Sequence, residues 1–335
     1  MHTTFSLSAA IWAAFLSLAT AQSYTSCDPM EKTCPADPGT TSTEISYDFT
    51  KSSDLAKWNT TAGTVTASEE GAKFTISQEG DAPTIETEYY IFFGEVSITM
   101  KGASGTGIVS SAILESDDLD EIDWEILGSY SSKLQTDYYG KGDSGSYDRW
   151  TWVEASSPLS TFHTYKWVWT KTELTWSIDG TVVRTLKYAD AVHDGASRYP
   201  QTPMSVRIGI WAGGSSSSEG TVEWAGGVTD YSDGPFTMYV KSVSIVNYNP
   251  AESYKWKNKS GSMDSIEIVG GTSSTGTTDS STGTAAAPAS VAATGGLWRS
   301  HPSGSSRTTS RPMFSAAGIG HFSIFITILM MMICI

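Results

Sequence analysis

The hexapeptide Asp120-Glu121-Ile122-Asp123-Trp124-Glu125 places four carboxyl groups within six residues. In an extended strand, side chains alternate between two faces. Glu121, Asp123 and Glu125 then share one face, while Ile122, Trp124 and Ile126 take the other. Like charges in a row repel, and nothing in this row neutralises them. A fold does not need such an arrangement, whereas acid/base chemistry often does. Four residues of strand span roughly 13 Å between the outer α-carbons. With each glutamate leaning inward, the outer carboxyls come to about 5 to 6 Å apart, near the roughly 5 to 5.5 Å of double displacement at an anomeric carbon. Inversion needs about 6.5 to 9.5 Å. A solvated acidic strand and a calcium site are the alternative readings of the same three acids.

Such a row needs a sheet beneath it, and strand signals dominate the surrounding sequence. Short alternating runs occur at 65–66 and 74–77, and residues 95–101 alternate with Val96, Ile98 and Met100 on the buried side. Residues 102–107 form a Gly-bounded loop, and 108–114 lead into the acidic strand. Further strands fall at 164–170, 206–211 and 238–247, and 176–183 form a hairpin turning at Asp179-Gly180. Only 53–58 offers a helix start. With 12 Trp, 15 Tyr and 31 Gly, the expected class is all-β, a two-sheet jelly-roll sandwich of concanavalin-like type.

A net charge of −15 leaves no basic footprint for nucleic acid. Residues 1–21 read as a secretory signal peptide closing on Ala19-Thr20-Ala21. The folded domain spans 22–268. Residues 269–304 form a Ser/Thr/Gly-rich stalk too poor in apolar residues to bury a core, and therefore disordered. The polar spacer and apolar tail over 305–335 fit a glycosylphosphatidylinositol signal with attachment at Gly304, which anchors a secreted protein to the membrane or wall. A tail-anchored transmembrane helix is the alternative for that tail. Cys334 leaves with it, so Cys27 and Cys34 remain as a pair in an oxidising compartment and are expected to form a disulfide. Asn59 and Asn258 open N-glycosylation sequons. No metal-ligand cluster and no cofactor motif stands out, and a monomer is the default.

The order of Gly loop, Glu121-Ile122-Asp123-Trp124-Glu125, Phe162-His163-Thr164-Tyr165 and Asp179-Gly180 resembles the family 16 glycoside hydrolases, whose signature is Glu-x-Asp-x-Glu on a β-jelly roll. The Cys27 to Cys34 segment, Arg207-Ile208-Gly209-Ile210-Trp211, 220–227 and 238–243 narrow the resemblance to the fungal Crh cell-wall transglycosylases. That resemblance implies Glu121 as nucleophile, Glu125 as acid/base and Asp123 as their assistant. Crowded carboxyls do not all ionise easily, so at least one stays protonated. The resemblance also puts Arg207 and Trp211, four apart on one strand, on the sugar-binding side, together with Thr221 and Trp224. For Trp224, core packing is equally open. Tyr138, Tyr139, Tyr147 and Trp150 read as a Gly-rich loop after the acidic strand, where sugar stacking and internal packing are both open. Trp167 and Trp169 read as core, and His163 as a structural histidine. The implied activity is retaining cleavage of chitin with transfer to a β-glucan or chitin acceptor. A hydrolytic endo-β-glucanase and a non-catalytic wall lectin are the alternatives.

Overall fold

The computed structural model describes residues 25–143, 149–193 and 195–271. The expected signal peptide over 1–21, the expected stalk beyond 271, the apolar tail over 305–335, Gly304 and Tyr147 lie outside the described residues.

Two antiparallel sheets stack face to face, as the alternating sequence requires. The seven-stranded sheet runs in the order Thr151–Glu154, Lys133–Tyr139, Glu121–Leu127, Ile108–Glu115, Ser205–Ala212, Thr84–Thr87 and Trp58–Ala62. The eight-stranded sheet runs Thr181–Lys187, Glu173–Ile178, His163–Trp169, Gly94–Lys101, Phe236–Asn247, Gly71–Ile76 and Val65–Ser68, with Glu44–Asp48 also pairing on Phe236–Asn247. This is the expected jelly-roll sandwich. Among the described residues, helix is confined to short pieces, including Ser52–Leu55 and Glu219–Trp224.

Between the sheets lies an aromatic core. Trp124 from the acidic strand meets Tyr165 at 5.2 Å and Trp167 at 6.4 Å between ring centroids. Trp167, Trp169 and Trp176 are fully buried, so the first two occupy the core positions expected of them. Full burial of each such side chain contributes roughly 1.5 to 3 kcal/mol. The Trp176 Nε1–H donates to the Asp123 carbonyl at 3.1 Å and so ties the acidic strand to the opposite sheet. Because Ile122, Trp124 and Ile126 fill this core, the acidic side chains of the same strand must point outward.

Outside the core, the Asp179-Gly180 turn takes positive φ at both residues (50° and 82°), the backbone of a tight two-residue hairpin. Asp179 also holds His163, whose Nδ1 lies 2.7 Å from Asp179 Oδ2 and whose Nε2 lies 2.7 Å from the Ser156 carbonyl. His163 is structural. Two parts of the sequence reading are corrected by the fold. Tyr138 and Tyr139 end the strand Lys133–Tyr139 rather than standing in a loop, because that segment pairs in register with Glu121–Leu127. Residues 219–224 form a helix, capped by the Ser218 hydroxyl on the Thr221 N–H (3.4 Å). That helix ends in a Schellman turn: the Gly226 N–H reaches the Glu223 carbonyl at 3.0 Å and the Gly227 N–H reaches the Val222 carbonyl at 2.9 Å. Gly226 (φ 94°) has no room for a β-carbon, which would fall 2.3 Å from the Ser129 hydroxyl.

Candidate active site

The register of three neighbouring strands assembles the site. Glu121, Asp123 and Glu125 face Tyr139, Asp137 and Gln135 on one side and Glu115, Ile113 and Ser111 on the other. Paired residues in a sheet point to the same face. Asp137 therefore stands directly beside Asp123, and the floor carries a carboxyl that the acidic motif does not contain. Above this floor lies a cleft of about 790 Å³. Tyr130, Trp150 and Trp152 line it on one side. Trp211, Thr221, Glu223 and Trp224 line it on the other.

The start of the acidic strand is pinned from below. Asp120 is fully buried and accepts from the Gln201 N–H (2.7 Å), the Thr202 hydroxyl (2.7 Å) and Lys141 Nζ (2.5 Å). Burial and the neighbouring Asp118 lift its pKa to about 6, with Lys141 opposing the rise. These contacts fix the backbone from which Glu121 projects.

Crowding sets the proton states on the floor. Asp123 is 2% exposed, and its pKa is driven well above the usual carboxylate range, first by burial and then by Glu121, Glu125 and Asp137. The Glu121 carboxyl lies within hydrogen-bond reach of Asp123 and adds to that rise. Glu125, the most solvent-accessible of the three, is raised by its dehydrated setting, then by Asp137 and Glu121. Asp137 is raised by burial, offset by bonds from the Tyr138 N–H (2.8 Å) and the Tyr139 hydroxyl (3.0 Å) and by the nearby Arg184 and Arg149. The floor thus keeps protons on carboxyls at a pH where free carboxylates have lost them. One of these can serve as a general acid beside an ionised neighbour.

Most of the residues singled out in the sequence meet here. Glu121, Asp123, Glu125, Tyr139, Trp211, Thr221 and Trp224 all line the one cleft. Trp211 and Trp224 stack at 6.0 Å with an interplanar angle of 25°, and Trp224 Nε1–H donates to Gln135 Oε1 at 2.7 Å. Both rings are half-buried, so Trp224 is cleft wall rather than core. Arg207 departs from expectation. It sits on the cleft face of its strand, yet its guanidinium pairs with Glu86 Oε2 at 2.9 Å and closely with Glu115 Oε2, and it does not line the cleft. Tyr138 points away and is buried under the Arg184 guanidinium, 5.3 Å from the ring centroid. Asp137, Gln135, Trp152 and Glu223 were not singled out by the motif. Alternation in Gln135-Thr136-Asp137-Tyr138-Tyr139, with the polar members in register, is the signal that marks the first two.

Away from the cleft, Cys27 and Cys34 form a disulfide with a Cα–Cα distance of 5.9 Å. Asn59 lies exposed on the edge strand Trp58–Ala62, and Asn258 is exposed with its Oδ1 accepting the Ser260 N–H at 3.0 Å.

Comparison with known proteins gives a consistent picture. The sequence profile of Glycosyl hydrolases family 16 matches residues 52–226. Crh-like protein 5 of Aspergillus fumigatus is 55% identical over 267 residues, covering 79% of this chain and 67% of the relative. Crh-like protein 1 of the same fungus is 54% identical over 282 residues, covering 84% and 76%. Among solved structures, a Crh5 transglycosylase in complex with NAG superposes with a TM-score of 0.70 at 56% identity, covering 72% of this chain and 99% of that one. A Bacillus licheniformis β-glucanase (TM-score 0.52, 21% identity, covering 62% of this chain and 99% of that one) shares the fold.

Proposed function

This chain belongs to the family 16 glycosyl hydrolases and, within them, to the fungal Crh-type transglycosylases, and from that membership we propose that it cleaves chitin with retention and passes the glycosyl unit to a β-glucan or chitin acceptor. The observation that carries the reading is the floor itself: Glu121 and Glu125 flank a proton-holding Asp123 beneath a cleft with aromatic walls.

Glu121 attacks the anomeric carbon, and the bond from that carbon to the leaving oxygen breaks as Glu125 gives that oxygen its proton. A proton on Asp123, within hydrogen-bond reach of Glu121, restrains that carboxylate from carrying full negative charge before attack and leaves it a hydrogen-bond partner when the ester forms. Glu125, now ionised, then takes the proton of an acceptor hydroxyl as that oxygen displaces Glu121. Transfer in place of hydrolysis rests on seating a sugar where water would otherwise stand. Trp150 and Trp152 on one wall, and Trp211 and Trp224 on the other, offer apolar faces suited to that. Chitin as donor is supported by the similar Crh5 transglycosylase, which is in complex with NAG, the N-acetylglucosamine unit of that polymer. Thr221 supplies a hydroxyl on the same wall as Trp211 and Trp224. Secretion, a stalk over 269–304 and a lipid at Gly304 complete the proposal and place the catalytic domain at the cell wall.

The test is incubation of the purified protein with chitin oligomers and a fluorescent laminarin oligomer, followed by size separation. Labelled products larger than the acceptor are expected, and they vanish in Glu125→Gln. Shorter chitin oligomers with no labelled product would make the protein a hydrolase. No covalent change to either sugar would leave it a binding protein.

A further inference from the structure

The walls of the cleft differ in one respect that bears on which sugars it takes. On one wall Lys133 Nζ already lies over the Trp152 ring, 4.1 Å from its centroid. On the other wall, among the described residues, no cation lies over the stacked Trp211 and Trp224, and Glu223, one residue before Trp224, is exposed at the cleft with no described ion pair on its carboxylate. Among the described residues lining the cleft there is no Lys, Arg or His, while five are Asp or Glu. The floor carboxyls hold protons, so the charge on this wall is that of Glu223, and an aromatic pair beside an exposed carboxylate is a setting that draws a cation, through the ring quadrupole and through Coulomb attraction together.

We propose that the Glu223–Trp224–Trp211 wall is a subsite for a cationic amino sugar, so that the cleft prefers partly deacetylated chitin, whose free amines carry protons, to the fully acetylated polymer. This rests on the chitin reading above and refines it. A neutral N-acetyl sugar gains only the ring contact at this wall. A glucosamine unit gains the ring contact, the ammonium over the indole face and the pairing with Glu223. A single exposed ion pair is worth little by itself. Combined with the cation–π contact in a partly dehydrated cleft, the advantage is about fivefold in affinity.

The test is calorimetric titration of the full chain carrying Glu121→Gln, which removes the proposed nucleophile and leaves both walls intact. Two chitin oligomers of equal length are compared in mildly acidic buffer, one fully acetylated and one partly deacetylated. The deacetylated oligomer is expected to bind about fivefold tighter at about 10 mM salt, with the advantage shrinking toward unity at about 0.5 M as charges are screened. Adding Glu223→Gln is expected to abolish the difference. Equal affinities in the parent protein would overturn the amino-sugar subsite while leaving the chitin reading standing. An advantage that survives Glu223→Gln would also overturn it, by placing the ammonium elsewhere. Failure of both oligomers to bind would end the chitin reading and this inference with it.

Discussion

Asp137 offers the most exacting test of the electrostatics, because it lies outside the motif and yet stands diagonal to the proposed acid/base. It stands opposite Asp123, which makes it the diagonal neighbour of Glu125, about 7 to 8 Å away across the strands. Unit charges at that separation and an effective dielectric constant of about 20 interact by about 2 kcal/mol. Arg184 and Arg149 oppose the Asp137 charge, so about half of that is a fair allowance for what reaches Glu125. The sign follows from the direction of the shift. A negative Asp137 makes the Glu125 proton harder to lose, and cleavage requires that proton. Asp137→Asn should therefore move the alkaline limb of the rate profile to lower pH. The amide oxygen can still accept the Tyr138 N–H, and the Tyr139 hydroxyl can turn to accept from the amide nitrogen, so the strand pairing is retained. The assay is transfer rate against pH for the wild type, Asp137→Asn and Asp137→Glu, with the charge-preserving variant expected to stay close to wild type. An alkaline limb that stays in place or moves upward in Asp137→Asn would refute the coupling.

The other predictions concern binding and stability. Trp211→Ala removes one face of the stacked pair, worth about 0.5 to 1.5 kcal/mol beyond area burial, and should raise KM for chitin oligomers by roughly two- to tenfold with a smaller effect on kcat; steady-state kinetics on a graded oligomer series decide it. Arg207→Met strands Glu115 and Glu86 without their shared cation, and should destabilise the fold by about 3 kcal/mol, the lower end for a broken buried pair because Glu86 is partly exposed. Urea unfolding measures that loss, and a change below about 0.5 kcal/mol would mean the pair is not a structural brace. Asp37 is buried, and its pKa is raised to about 8 by burial and then by Asp117, against the Trp256 N–H bond. A carboxyl raised in the folded state favours folding most below its unfolded pKa near 4, and that contribution is lost as pH climbs through about 8. Asp37→Asn should thus gain in Tm relative to wild type between pH 5 and pH 8, which thermal melts at the two pH values will show; a constant difference would contradict it.

What the sequence made legible follows from which interactions are local. The acidic strand could be read because alternation alone sends Glu121, Asp123 and Glu125 to one face once Ile122 and Trp124 claim the core. The Asp179-Gly180 hairpin was legible for the same reason, as its turn chemistry sits in two adjacent residues. Tyr138 and Tyr139 were harder to place, since the strand they end carries Lys133, Gln135 and Asp137 and shows itself only when the neighbouring strand is known. The polarity of Gln135 and Asp137 is that of a cleft floor. The helix at 219–224 is too short for apolar periodicity to mark it, and only its Ser218 cap and the Gly226-Gly227 ending betray it. Arg207 was placed on the right face, but its partners Glu86 and Glu115 come from strands 121 and 92 residues away in sequence, a pairing that no local pattern encodes.

The central claim is that Glu121 forms a covalent bond to the sugar while Glu125 supplies the proton. A chitin-derived glycoside with an activated leaving group, given to Glu125→Gln, bypasses the need for the acid and should let the intermediate accumulate. Intact-mass and peptide-mapping spectrometry should find one added glycosyl unit, esterified to Glu121. A glycosyl adduct on any other residue, or release of an anomerically inverted product without an adduct, would contradict the account.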